Sequence, residues 1–92
     1  MDNQILKHCL EKYPEEACGV ILNKKGTLTW IPCENIAEDK ENSFKISAID
    51  YASLSLQGDI SAIVHSHPDD SCEPSERDKK ASEHLKVPYH IY

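Results

Sequence analysis

The stretch "DISAIV", from Asp59 to Val64, leaves the chain the fewest options. It is a nearly continuous apolar run of strand length, greasy on both sides of the backbone, so it belongs in the middle of a sheet covered on both faces. Such a sheet needs helices above and below it. His65, Ser66, His67 and Pro68 follow directly, so this nearly continuous apolar strand runs into two imidazoles.

The flanking sequence supplies the covering layers. Ile5, Leu6, Cys9, Leu10 and Tyr13 recur at three- and four-residue intervals and predict an amphipathic helix, capped by Asp2 or Asn3 and stopped before Pro14. "EACGVILN" reads as a strand, "NKKG" as a turn, and "TLTWIPC" as a second strand, which together make a hairpin. The polar segment from Glu34 to Asn42 is a loop, and "SFKI" a short strand with Phe44 and Ile46 on one side. Ser47 and Asp50 form a capping box for a second helix, with Ile49, Ala52, Ser53 and Leu56 as its inner stripe and Gly58 as its end. "PSERDKKASEHLK" predicts a third helix and "VPYHIY" a closing strand. The expected fold class is α/β, a mixed central β-sheet flanked by helices, in one domain over residues 1–92.

A chain of 92 residues buries only about 60–65% of its unfolded surface, so a metal ion, a partner or further chain would stabilise it considerably. Ten Lys and Arg scattered among sixteen Asp and Glu give a net charge of −6 and no basic stripe, which argues against nucleic acid as a partner. No apolar run is long enough to span a membrane, and the N-terminus lacks the basic-then-apolar pattern of a secretion signal, which points to the cytoplasm. Cys9, Cys18, Cys33 and Cys72 are widely spaced with no C-x-x-C pair, so they are expected as reduced thiols that pack as small hydrophobes.

The polar residues after "DISAIV" admit two readings. His65 and His67 are two apart, so if the extended backbone persists through Ser66 both imidazoles project to one side, as two ligands of one ion require. They also read as loop histidines bonded to backbone and water. Asp78 precedes Ala81 by three residues and Leu85 by seven, which on a helix places the three within about 60° of one another. A carboxylate beside a core-facing stripe needs a partner, and a cation held by two imidazoles supplies one. Against this, "SERD" is itself a capping box that accounts for Ser75 and Asp78 locally. Two imidazoles and a carboxylate suit a catalytic zinc site with water in the fourth position, whereas Cys72 as fourth ligand would close it into a structural one. Zinc lowers the pKa of bound water to about 7, and amide hydrolysis then needs a carboxylate to carry the proton. Glu15 and Glu16 both precede the strand "ACGVI", and nothing in their spacing separates them.

"EACG", then "HSHP", six residues, Ser75, two residues and Asp78 resemble the pattern of the JAMM (MPN-plus) metalloproteases. The resemblance implies that His65, His67 and Asp78 bind zinc, that Glu16 is the general acid/base, that Ser75 stabilises the oxyanion, and that Glu15 faces solvent. It also implies hydrolysis of peptide or isopeptide bonds in a protein or peptide substrate, on a helix-flanked sheet similar to the deaminase fold. "YPEEACGVI", "PCENIAEDKENSFKISAIDYASL" and "VPYHIY" extend the likeness to the N-terminal domain of the tail assembly protein K family of lambda-like phages and prophages. In that family an NlpC-type cysteine peptidase domain commonly follows. The resemblance implies other phage tail proteins as partners, the host cytoplasm during assembly or the virion tail tip as location, and C-terminal strands beyond Tyr92. The alternative function is a non-catalytic tail-assembly module whose metal only braces the fold.

Overall fold

The computed structural model describes residues 1–68 and 87–92. Among them are two helices, α1 (Asp2–Lys12) and α2 (Ala48–Gln57), and four strands, β1 (Cys18–Lys24), β2 (Thr27–Cys33), β3 (Asp59–His65) and β4 (Tyr89–Ile91). The strands form one sheet in the order β2-β1-β3-β4; β1 is antiparallel to both neighbours and β3 is parallel to β4. This is the expected mixed sheet of an α/β fold, with "DISAIV" flanked by a strand on each side.

The β1–β2 hairpin turns at Lys25 and Gly26, both at positive φ (51° and 89°), the backbone that suits a two-residue connection between twisted strands. The Asn23 Oδ1 accepts from the Gly26 N–H at 2.8 Å and closes the turn. Alternation along the strands divides the interior into two layers. Ile21, Ala62 and Val64 pack with Ile5 of α1, edged by Cys9, Trp30 and Tyr92. Val20, Leu22 and Ile63 face the other way and pack with Leu54 of α2, edged by Ile31, Phe44, Ile46 and Tyr89.

Gly19 allows the first layer to close. A Cβ built there would lie 2.5 Å from the Ile31 carbonyl oxygen and 2.7 Å from Cζ3 of Trp30, with Cη2 of the same ring closer still. The indole therefore packs against a position that tolerates no side chain.

Three local expectations change. The first-turn cap is absent: Met1 occupies the N-cap position without a side-chain bond, and Asp2 instead accepts from the Tyr92 hydroxyl at 2.7 Å. "SFKI" is not a strand, although Phe44 and Ile46 do point into the second layer. Its backbone is bonded within its own loop, Ile36 N–H to Lys45 O at 2.8 Å and Lys45 N–H to the Asn35 Oδ1 at 3.1 Å, which takes it off the sheet edge. On α2 the expected inner stripe faces outward: Ile49 is 79% and Leu56 90% exposed, while Leu54 is buried and Tyr51 half-buried. The capping box itself is present, the Ser47 Oγ accepting from Asp50 N–H at 3.1 Å. The expected third helix, with Ser75, Asp78 and His84, and Cys72 ahead of it lie outside the described residues.

Candidate metal centre

The ladder does not stop where β3 ends. Ser66 N–H donates to the Ala17 carbonyl at 3.0 Å, His67 N–H to the Tyr92 carbonyl at 3.1 Å, and Tyr92 N–H to the His65 carbonyl at 2.9 Å. The backbone thus stays extended through Ser66, and the condition for both imidazoles to share a face is met. Their Nε2 atoms are 3.1 Å apart, with ring centroids 4.9 Å apart and planes at 65°.

Glu16 reaches the same face by the same alternation. Cys18 stands opposite His65 in the β1–β3 register, and Glu16 lies two residues before it. One ligand atom each from Glu16, His65 and His67 falls within 4.8 Å of the others. Glu16 is 6% and His65 1% exposed, whereas His67 is half-buried. Glu15, expected to face solvent, is half-buried and lines a cleft of about 350 Å³ that also touches Glu16, His8, Lys12, Asn35 and Lys40.

This donor set fits a small divalent cation. Two nitrogen ligands at about 2.0–2.1 Å from a tetrahedral ion lie about 3.3 Å apart, close to the separation of the two Nε2 atoms. A cation also complements a buried carboxylate beside two imidazoles. Within 4.8 Å, Glu16 is near enough either to coordinate the ion or to stand beside it as a proton carrier.

Aromatic side chains fix His65. Phe44 stacks on its ring at 4.4 Å and 21°, and Tyr89 meets it edge-on at 5.6 Å and 75°. On the opposite face of the sheet, Ser66 is buried and its Oγ accepts from Ala17 N–H at 2.9 Å, a clip between the histidine segment and the residue after Glu16. Sequence reasoning gave Ser66, Phe44 and Asn35 no role at the site. For Ser66 a signal existed: a residue between two alternating ligands must face the other way. Of the site residues expected from the sequence, Glu16, His65 and His67 come together; Ser75 and Asp78 fall outside the described residues.

The surroundings of Cys18 and Cys33 favour the protonated thiol. Burial pushes Cys18 up to about 12, helped by the neighbouring Cys33 and Glu16, and burial and Asp50 push Cys33 up to about 11. A thiol whose folded pKa is raised contributes stability that is complete below its unfolded pKa of 9.0 and is lost as pH rises towards the folded value. Thermal midpoints are therefore expected to fall between pH 9 and pH 12. Cys18→Ala should flatten that fall; an unchanged slope in thermal melts at pH 8, 9.5 and 11 would show that these thiols do not cause it.

Comparison with known proteins relates the chain to a family and to a curated relative. Residues 1–92 match the family described as prokaryotic homologs of the JAB domain. The tail tip assembly protein K of Escherichia phage N15 is 39% identical over 87 residues, which cover 95% of this chain and 36% of that protein. The chain thus spans about a third of the length of this curated relative. No helix among the described residues is long and apolar enough to cross a membrane.

Proposed function

The chain belongs to the family of prokaryotic JAB-domain homologues, and from that premise we propose that it is a zinc-dependent hydrolase of peptide or isopeptide bonds acting within a phage or prophage tail tip assembly protein. The observation that carries the reading is the convergence of Glu16, His65 and His67 on one point, two of them almost fully buried. His65 and His67 hold the zinc, with Asp78 as third protein ligand on the strength of its spacing in the sequence.

Bound zinc supplies a lowered water pKa and a polarised substrate carbonyl. The chain's own residues do the rest. Glu16, held beside the imidazole pair and shielded from solvent, takes a proton from the attacking water and delivers it to the departing amide nitrogen. Ser75, placed by its spacing, donates a hydrogen bond to the developing oxyanion. Phe44 and Tyr89 keep His65 from turning away from the ion. The relative's name suggests other tail proteins as partners, and with them the host cytoplasm during assembly or the virion tail tip as the place of action.

Metal removal tests the proposal. The chain is expected to bind one zinc, and chelation should stop cleavage of a mixture of internally quenched peptides and ε-linked analogues while far-UV circular dichroism persists at 25 °C. The thermal midpoint should drop, because an ion that binds only the folded state adds about 3–4 kcal/mol at 100 to 1,000 times its Kd. A metal-free chain that unfolds outright would instead favour a bracing metal in an assembly module.

A further inference from the structure

We infer that Asn35 is a positioning residue that sets Glu16 and His65 in register with each other, an inference that rests on Glu16 as proton carrier. Asn35 is half-buried just beyond β2, and its amide is filled from both ends by backbone groups. The Nδ2 donates to the carbonyls of Glu16 at 2.9 Å and Ser43 at 3.0 Å, with Lys40 O further off at 3.5 Å. The Oδ1 accepts from the N–H groups of Ala37 at 3.0 Å and Lys45 at 3.1 Å. Two donor hydrogens and two lone pairs are all an asparagine amide has, and each is used.

The partners are not scattered. Ser43 and Lys45 bracket Phe44, the residue stacked on His65, so two of the four bonds fix the backbone that carries that ring. A third holds the Glu16 carbonyl, while the Glu16 N–H donates to Lys40 O at 2.7 Å in the same loop. One side chain therefore ties together the peptide that bears the carboxylate and the aromatic ring that steadies the imidazole. Asn35 touches neither the Glu16 carboxylate nor the His65 ring in any of these bonds. Its effect runs through their placement, and a misplacement of about 1 Å at a reacting group costs on the order of 10²-fold in rate.

Asn35→Asp separates the two ends of the amide. It has the same shape and keeps the acceptor for Ala37 and Lys45, but it loses both donors and sets a negative charge against the carbonyls of Glu16 and Ser43. In the 92-residue chain, assayed with the quenched peptide mixture, kcat is expected to fall by about 100-fold with KM within about threefold and zinc content unchanged. Amide hydrogen exchange at Glu16 should quicken by more than about tenfold while Val20, inside β1, keeps its protection. In a Glu16→Gln background the same change should add less than about twofold, because a residue acting through another contributes nothing once that one is removed.

Unchanged exchange at Glu16, or independent and multiplicative effects of the two substitutions, would overturn the inference. If Asn35→Asp does not fold, Asn35→Ser is carried through the same measurements. Full activity in Glu16→Gln alone would end the proton-carrier reading. If the native chain cleaves no peptide, the proposed function fails on its own, and hydrogen exchange decides whether Asn35 couples Glu16 to the rest of the site.

Discussion

Glu16→Gln is expected to lower peptide hydrolysis by about 10²–10⁴-fold while zinc stays bound. The carboxamide has almost the same shape and keeps hydrogen-bonding atoms in place, but it neither accepts nor delivers a proton at neutral pH. At 6% exposure little solvent reaches the position to substitute for it. His65 and His67 keep their mutual geometry, because their backbones are held by Tyr92 rather than by the glutamate. KM should hardly move, since the lost interaction exists only in the transition state. Two results would redirect the assignment. A normal rate would remove Glu16 from the proton path, and loss of zinc together with activity would make it a metal ligand, a role its distance from the histidines also allows.

The largest effect on stability is expected at Gly19→Ala. One methyl must displace both the Trp30 ring and the Ile31 carbonyl, and the second is backbone of the adjacent strand that cannot rotate aside. Overpacking of this kind costs about 3 kcal/mol, which in a domain of this size corresponds to a fall of more than about 10 °C in Tm. Replacing Trp30 with leucine in the same chain should recover only part of the loss, because the overlap with Ile31 O remains. A midpoint within about 2 °C of the parent in calorimetry would mean that β1 and β2 separate more easily than their register suggests.

The parts of the fold that could be read in advance were those fixed by local chemistry. "DISAIV" had to be an inner strand, and Lys25-Gly26 had to turn. The phase of α2 was hidden because the helix carries two apolar stripes, Ile49 with Ala52 and Leu56, and Tyr51 with Leu54, and periodicity cannot say which one the sheet accepts. Phe44 read as strand because its alternation with Ile46 is genuine, yet the backbone bonds that decide the matter come from Asn35, ten residues upstream of Lys45. At the site, His65 and His67 were visible as a pair because their geometry is local. The separation of Glu16 from Glu15 depends on the pairing of Cys18 with His65, a relation between distant strands that no local pattern encodes.

The bond from His67 N–H to the Tyr92 carbonyl links the site to the order of synthesis. Glu16 leaves the ribosome early and His65 much later, and the clamp on His67 waits for Tyr92. A partly made chain therefore holds a carboxylate and two imidazoles that have not yet been brought together, and long-range closures of this kind form slowly. On the proposed metal site, loading is therefore expected only in chains that have been translated through Tyr92 and whose parallel β3–β4 pair has closed.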